Sequence, residues 1–565
     1  QWWSFQPLGK SKPPTVDNAE WNRNPIDRFV YDRFDKQGLE AEEEATPEVL
    51  VRRLHLMLTG LPPKREASEA FARDPSPEAY GALVDALLDL PEYGERWARY
   101  WMDWYRFAES HGSEGDPKLN YASVYRDYLI RALNDDVPYD QLLREHLAGD
   151  LMEHPRLNEQ LGINESAIGP AHLRMVPHGF GVTDAYAEQI TFTDNQIDVV
   201  SKAMLGVTVS CARCHNHKFD PISQKDFYRL YGIMVSNRPG TINIDTAEKQ
   251  DLHKQSLSKL KQQIRKRLAD YWLEDAAKAV DRLLSESLKI SPEDEEAIEK
   301  ASNSKKPKKG ESPKDPIVVP LLALKTEMKA LGDYHPFAAM SSLKDESPAE
   351  IKRKLGELSK RRESEQQQNE NAKRQATFYA DLRDQRTLDA WYRNGNGLGP
   401  MTSPAGSFTV AVAGDRAIAG IYPAGVYSHL ISDKHNATLA SPYHFAKGDS
   451  SYVRMIGGEG VSRMSVRNYP LKQGLHPYDV ASHETMRWQR FEKYEFWNGE
   501  QVHYQFNTSL DNPVGNGVPR SWFGVAEVIG GNAPLKNLGA PLFAVSVNAS
   551  NIESRSALIE AYKQA

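Results

Sequence analysis

The chain holds only two cysteines in 565 residues, and both lie in one short stretch that also contains two histidines. Cys211 and Cys214 are three residues apart, His215 follows directly, and His217 comes two residues later. Thiols and imidazoles are strong ligands for transition metals. This stretch is therefore the first candidate for chemistry in the sequence.

The spacing Cys-x-x-Cys-His is typical of covalent attachment of a c-type haem. Thiols at positions i and i+3 lie on one side of a helical turn, where each can form a thioether with one haem vinyl group. The next histidine lies under the ring and can bind the iron. We therefore predict one covalent haem c, attached at Cys211 and Cys214, with His215 as the iron ligand. Lys218 is predicted to pair with a haem propionate.

Two other sites use the same residue types. Zinc could take Cys211, Cys214, His215 and His217, although four ligands within seven residues strain a tetrahedron. A redox-active dithiol is the third alternative, but no βαβ pattern surrounds the pair. A structural disulfide is disfavoured because so short a loop would stabilise the fold very little.

The sixth iron ligand is not written in the stretch. His217 is too close to His215 to reach the opposite face of the ring, so we predict an outer hydrogen bond, a propionate contact or a catalytic role for it. His178 is the distal candidate that we favour, and a vacant position would favour catalysis over electron transfer. The other distal candidates are His172, His111 and Met175.

A second cluster of ionisable residues occupies a predicted helix end and the loop after it. Its spacing places Asp103, Arg106 and the turn near Ser110 on one helical face. Such a set can serve acid/base chemistry, with Glu109 and His111 as candidate catalytic residues beside His217, or it can form a buried salt-bridge network. The cluster comprises Asp103, Arg106, Glu109, His111, Glu114 and Asp116.

Composition excludes some functions. The formal net charge of −7 disfavours a nucleic-acid partner, and no apolar run approaches the 18 or so residues of a membrane span. The chain begins and ends abruptly, which we interpret as the ends of a processed or trimmed product.

Periodicity changes along the chain and defines the elements that must position these residues. Apolar residues have helical spacing in the first 240 residues, polar helices follow, and short alternating runs come last. The second polar helix is predicted to run from about Pro348 to Leu382. The predicted class is α+β multidomain: an N-terminal arm (1–20), a mostly α-helical haem c domain (21–244), a helical hairpin or coiled coil (245–385), an antiparallel β-sandwich (386–550) and a C-terminal helix or linker (551–565).

Several longer motifs resemble one bacterial family. The motifs are "WWSFQPL", "NPIDRFV", "RRLHLMLTGLPP", "YGERWARYWMDWYRFAESHG", "YRDYLIRALNDDVPYDQLLREHLAGDLM" and "DNQIDVVSKAMLGVTVSCARCHNHKFDPISQKDFY". In order and spacing, residues 1 to about 240 resemble the large cytochrome-containing proteins of planctomycetes and related bacteria. The family is similar in continuing into a coiled coil and a carbohydrate-binding-like β-sandwich.

The resemblance implies export to the periplasm or another outer compartment, covalent haem at Cys211 and Cys214, and ligation by His215. It also suggests that His217, Lys218, Asp220 and Pro221 belong to the motif. It links the family to complex-carbohydrate breakdown by association only, so a carbohydrate substrate is an expectation.

Three functions from different classes follow. The first is a haem-dependent redox enzyme or redox subunit in carbohydrate breakdown, and the second is a periplasmic electron carrier with a protein partner. The third is a binding protein stabilised by zinc. The coiled coil adds the expectation of a homo-oligomer or a multi-chain assembly.

Overall fold

The structure is a computed structural model, in which two compact units form. The first unit comprises residues 1–249, 468–474 and 512–517, and the second comprises 250–467, 475–511 and 518–565. Within these bounds the structure describes residues 5–22, 24–112, 116, 118–177, 184–237, 240–287, 334, 343, 346–411, 413, 417–467, 469, 476–513, 517–538, 552–554, 556–558 and 561.

The first unit is built mainly from α-helices, and several begin at a proline. Proline is favourable at the first helical position because its missing N–H would have no intrahelical partner there. Asn24 and Ser76 cap α1 and α4 by accepting hydrogen bonds from backbone N–H groups of the first turn. The helices are α1 (Pro25–Gln37), α2 (Pro47–Leu58), α3 (Arg65–Arg73), α4 (Pro77–Leu88), α5 (Pro91–Trp104), α6 (Ala122–Asn134), α7 (Tyr139–Ala148), α8 (Ala185–Leu205) and α9 (Gln224–Met234).

The main core of the first unit is centred on α5, α6 and α7. Tyr125, Tyr128 and Leu129 on α6 are fully buried. A 3₁₀ stretch, Ser166–Arg174, packs against α6 and α7, and a two-stranded hairpin of β1 (Leu157–Asn158) and β2 (Ile163–Asn164) precedes it.

Two segments from late in the sequence complete the first unit. Tyr469 packs edge-on against Phe192 of α8, with ring centroids 5.5 Å apart. The carbonyl oxygen of Pro513 accepts a hydrogen bond of 2.8 Å from Nη2 of Arg174. The first unit is therefore discontinuous in sequence.

Helix α10 (Ala247–Asp251) crosses the end of the first unit's main segment at residue 249, and α11 (Lys254–Ser287) follows it. Helix α12 (Pro348–Gln375) begins after a serine cap, Ser347. The prediction that this second polar helix continues to Leu382 is wrong. The helix ends at Gln375, and β3 (Phe378–Asp381) pairs with a distant strand instead, because sheet pairing outweighs local helix propensity. In the described ranges, no helix has both the length and the apolar character needed to cross a membrane.

The second unit is dominated by a nine-stranded antiparallel sheet, so the predicted α+β class is confirmed. Its main path runs β3-β13-β10-β12-β8-β4, with β11 on β10, β7 on β13 and β9 on β12, and β5 and β6 form a separate pair. Helix α13 (Gln385–Asp389) follows β3. The remaining strands are β4 (Tyr392–Asn394), β5 (Ser407–Val410), β6 (Ile418–Tyr422), β7 (Val426–Tyr427), β8 (Thr438–Ala440), β9 (His444–Phe445), β10 (Ser451–Val466), β11 (Tyr478–Phe491), β12 (Gln501–Asn507) and β13 (Trp522–Gly530).

Strand β10 changes partner part-way along, from β13 to β12. The change occurs at Gly457–Gly460, where the register shifts. A Cβ on Gly458 would lie 2.5 Å from Nε1 of Trp522, and one on Gly460 would lie 2.4 Å from the Trp522 carbonyl oxygen. Glycine is thus required here by the close approach of β13.

Candidate functional site

The cysteine stretch forms a turn between α8 and α9. Helix α8 ends at Leu205, and the next residue, Gly206, has the left-handed conformation (φ 66°) that favours the end of a helix. The chain then makes one short 3₁₀ helix, Val209–Arg213, and Cys214 follows it directly. We call residues 208–222 the cysteine turn.

The 3₁₀ geometry separates the two faces of the cysteine turn. Side chains at i and i+3 eclipse each other in a 3₁₀ helix. Val209 and Ala212 are buried, whereas Cys211 and Cys214 are exposed free thiols. Val209 and Ala212 pack in a small apolar cluster with Ile197, Val200, Phe227 and Met234. Burial of one face therefore directs both thiols to the other.

His215 is exposed beside the thiols. Its Nδ1 lies 2.8 Å from the carbonyl oxygen of Asn216. A carbonyl oxygen only accepts, so we infer that Nδ1 carries the proton and donates it. The lone pair of the neutral ring is then on Nε2, which is the arrangement of a metal-binding histidine.

His217 differs from His215 in both exposure and bonding. Its side chain is only 4% exposed. Its Nδ1 accepts hydrogen bonds from the backbone N–H groups of Asp220 (2.8 Å) and Phe219 (3.3 Å), and its Nε2 lies 2.9 Å from Oγ1 of Thr208. Both ring nitrogens of His217 are therefore engaged within the cysteine turn.

The first turn of α9 also holds the cysteine turn. Ser223 and Asp226 form a capping box, and the Gln224 N–H donates to Oδ1 of Asn216 (3.0 Å). The carbonyl oxygen of Arg213 accepts from Nε2 of Gln224 (3.1 Å) and from the Tyr228 hydroxyl (3.3 Å). The backbone that carries the thiols is thus fixed from its C-terminal side.

Exposed apolar side chains occur in the cysteine turn and in the helices on either side of it. Leu205 is 69% exposed, Phe219 63% and Tyr228 53%. The ammonium of Lys218 lies 5.1 Å from the Phe219 ring centroid, and its predicted pairing with a propionate stays a prediction.

The distal candidates are placed as follows. His172 and Met175 are buried, and Met175 lies in the main core of the first unit. Nε2 of His172 lies 3.1 Å from the carbonyl oxygen of His146. His178 lies outside the described residues. A distal ligand for the cysteine turn stays a prediction.

The second predicted cluster does not share one helical face. Helix α5 ends at Trp104, and Arg106 has a left-handed backbone (φ 53°), so it no longer follows the helical periodicity of Asp103. Arg106 instead bonds to Asn195 and Asp198 on α8, each at 2.7 Å. Glu114 lies outside the described residues.

The two candidate catalytic residues of that cluster differ in environment. His111 is buried, and burial together with the nearby Arg174 guanidinium lowers its pKa to about 3. Glu109 is exposed, and its carbonyl oxygen accepts from the Leu119 N–H. The exposed Asp116 accepts from the N–H of Gly112 at 2.8 Å.

A buried polar cluster on α6 and α7 was not predicted. The carboxylate of Glu145 accepts from Tyr128 (2.5 Å), Ser166 (2.8 Å) and Arg156 (3.2 Å). Burial alone would raise the pKa of Glu145, but hydrogen bonds from Arg156, Tyr128 and Gln141 outweigh it and lower the pKa.

His146 is the second member of this buried polar cluster. Its Nε2 accepts from Tyr125 (2.9 Å) and Trp101 (3.0 Å), and its Nδ1 donates to the Leu142 carbonyl oxygen (2.7 Å). Burial lowers the pKa of His146 to about 4. Glu145 and His146 follow the buried Leu142 by three and four residues, so helical periodicity could have placed both on the buried face.

Metal binding by protein ligands alone is not supported in the described part of the chain. There, no three His, Cys, Asp or Glu side chains come together as a metal site. The cysteine turn is described throughout, so its two thiols and two imidazoles do not converge on one point.

The helices that carry the cysteine turn can be compared with known families. Residues 25–238 match the PSCyt2 family model. The family is described as a protein of unknown function (DUF1549) and is a planctomycete-type, cytochrome c-associated domain. No curated protein and no solved structure matches the chain.

The PSCyt2 match spans α1 to α9 and includes the whole cysteine turn. It covers less than half of the chain, and it does not by itself establish a cytochrome c domain. The chemistry of the PSCyt2 region must therefore be argued from its residues.

Proposed function

We propose that the cysteine turn carries one covalent c-type haem and gives the protein a redox function. Cys211 and Cys214 would form the two thioethers, and Nε2 of His215 would bind the iron. When bound, the haem would supply one-electron chemistry. The protein itself would hold the thiols on one face, orient the imidazole and cover part of the ring with apolar side chains.

The observation that carries this proposal is the hydrogen bond from Nδ1 of His215 to the Asn216 carbonyl oxygen (2.8 Å). It leaves the lone pair on Nε2 of an exposed ring, and His215 directly follows Cys214 in a turn with two exposed free thiols. A c-type haem uses one such ligand and two thiols, whereas zinc sites take three or four convergent protein ligands. The cysteine turn offers two thiols and one imidazole on exposed side chains, and no three His, Cys, Asp or Glu side chains come together as a metal site in the described residues.

Electron exchange with a protein partner is the second candidate function. The thiols and His215 are exposed, so a haem attached there would present an edge to a partner. Catalysis would instead need an open iron position. Export belongs to the proposal, because c-type haem attachment is an exported process, and the role in carbohydrate breakdown stays a prediction from the resemblance.

The test is to produce the protein in a host with haem-maturation machinery and record visible spectra, oxidised and reduced, with a pyridine haemochrome assay. We expect one haem c per chain in the wild type and none in the double variant Cys211→Ala, Cys214→Ala. Lys225→Ala, an exposed neighbour on α9, is the matched control and should keep one haem. A colourless wild-type protein with one zinc per chain would overturn the proposal. High-spin iron would favour catalysis, and low-spin six-coordinate iron would favour the carrier function.

A further inference from the structure

The two histidines of the cysteine turn differ in exposure and in hydrogen bonding, which indicates different roles. We propose that His217 is a positioning residue, which holds the cysteine turn in a form ready for haem and carries its proton on Nε2, opposite to His215. This inference rests on the proposed function for its haem-related part. Its protein-related part can be tested without haem.

The hydrogen bonds of His217 determine its tautomer. A backbone N–H can only donate, so the N–H groups of Asp220 and Phe219 require a lone pair on Nδ1. The proton of the neutral ring must then be on Nε2, where it donates to Oγ1 of Thr208. A carboxylate oxygen of Asp220 also lies 3.3 Å from Nδ1, but the shorter contact to the Asp220 N–H (2.8 Å) decides the assignment.

The position of these contacts explains what the imidazole does. Thr208 precedes the first cysteine, and its carbonyl oxygen accepts from the Cys211 N–H (3.0 Å) at the start of the 3₁₀ helix. Asp220 lies near the other end of the cysteine turn. The His217 ring therefore joins the two ends of the turn, and the backbone N–H of His217 donates to the Ile222 carbonyl oxygen (2.8 Å) as a third connection.

The same contacts separate the roles of the two rings. His215 has an exposed ring with its lone pair on Nε2, so it can bind iron. His217 has a buried ring whose lone pair is already used by two backbone N–H groups. For His217 to act as a metal ligand or a general base, it would have to release these bonds and open the cysteine turn.

The first test uses haem-free protein with ¹⁵N-labelled histidine and reads the ring-nitrogen shifts by NMR. We expect the Nε2–H tautomer for His217 and the Nδ1–H tautomer for His215. An Nδ1–H tautomer for His217, or a ring that averages between both forms, would overturn the proposal. This outcome does not depend on haem, so it is distinct from a failure of the proposed function.

The second test removes the hydrogen bonds at Nδ1 and at Nε2 of His217 by separate substitutions. His217→Ala removes both, Thr208→Val removes only the acceptor for Nε2–H, and His217→Asn keeps an acceptor near Nδ1. In haem-free protein, we expect hydrogen exchange of the Asp220 amide to become about five- to tenfold faster in His217→Ala, the effect of losing one hydrogen bond. His217→Asn should restore most of the protection, and Lys225→Ala should leave exchange at the wild-type rate.

In haem-loaded protein, the readouts are the haem content and the midpoint potential of the purified haem-bound fraction. Positioning predicts a lower haem content and a shifted potential in His217→Ala, with recovery in His217→Asn. General destabilisation would lower the yield of folded protein but leave the potential of the haem-bound fraction unchanged. Wild-type exchange, haem content and potential in His217→Ala would overturn the proposal.

Discussion

The buried polar cluster and the cysteine turn of the first unit contain similar residue types but place them in different environments. In the buried cluster, Glu145 and His146 bond to side chains and to backbone of the core. In the cysteine turn, the side chains of Cys211, Cys214 and His215 are exposed, whereas that of His217 is enclosed. Ionisable residues in the interior must satisfy each other, whereas those on the turn remain available to a ligand.

The comparison shows that residue type alone does not identify a functional site. Glu145 beside His146 has the composition of an acid/base pair, yet six neighbouring side chains donate hydrogen bonds to their polar atoms. The thiols of the turn differ, since both are exposed, while Val209 and Ala212 of the same 3₁₀ helix pack in an apolar cluster. The two regions should therefore respond differently to substitution.

The largest effect is expected for Glu145→Leu, which leaves the Arg156 charge and the Tyr128 and Ser166 hydroxyls without their acceptor. We expect a loss of about 3–5 kcal/mol in the free energy of unfolding of the first unit. Urea unfolding followed by tryptophan fluorescence measures it. Arg144→Ala is the matched control, because Arg144 is exposed and should contribute less than about 0.5 kcal/mol. A loss below about 1 kcal/mol for Glu145→Leu would break the comparison.

The next largest effect is a loss of stability as the pH falls. His146 has a pKa lowered to about 4 by burial, so the unfolded chain binds its proton first as pH falls below about 6.5. The stability due to neutral His146 is therefore present above pH 6.5 and is lost as pH falls, by about 2 kcal/mol between pH 7 and pH 5.

The buried cluster adds no opposing change in that window. The pKa of His172 is also lowered by burial, which acts in the same direction, and the pKa of Glu145 is lowered, so that carboxylate stays charged. Unfolding at both pH values in wild type and His146→Gln isolates the contribution of His146. Equal pH dependence in the two proteins would contradict the assignment.

A smaller, local effect is expected for Ser223→Ala, which removes the capping box of α9. The cost should be about 1 kcal/mol. Hydrogen exchange of the Asp226 amide measures it, because the Ser223 hydroxyl accepts from that N–H (3.2 Å). Lys225→Ala in the same helical turn should leave that amide unchanged, and an equal change in both variants would argue against a specific cap.

The smallest effect on stability belongs to the thiols. Cys211→Ser with Cys214→Ser should change the free energy of unfolding of haem-free protein by less than about 0.5 kcal/mol, because both side chains are exposed. The same protein should lose all covalent haem after maturation. A large loss of stability without haem would show that the thiols have a structural partner, and the contrast with Glu145 would fail.

The sequence allowed the order of the helical and strand-rich regions to be predicted, because periodicity is local, whereas the haem-binding role of Cys211, Cys214 and His215 stays a prediction. The enclosure of His217 was not predictable, since it depends on a backbone fold that brings the Asp220 N–H to Nδ1 of the ring. The end of α12 at Gln375 was missed for a related reason. Phe378 and Tyr379 follow a helix-favouring run, but they pair with β13, about 150 residues later.

Because the first unit is discontinuous in sequence, it cannot complete its folding until late in synthesis. Residues 1–249 leave the ribosome well before residues 468–474 and 512–517, which belong to the same unit. At about 5–20 residues per second, the last of these segments arrives roughly 15 to 50 seconds later. Until then, the hydrogen bond from Arg174 to Pro513 and the ring contact between Phe192 and Tyr469 cannot form. A shortened gene that stops at residue 249 would therefore encode an incomplete first unit.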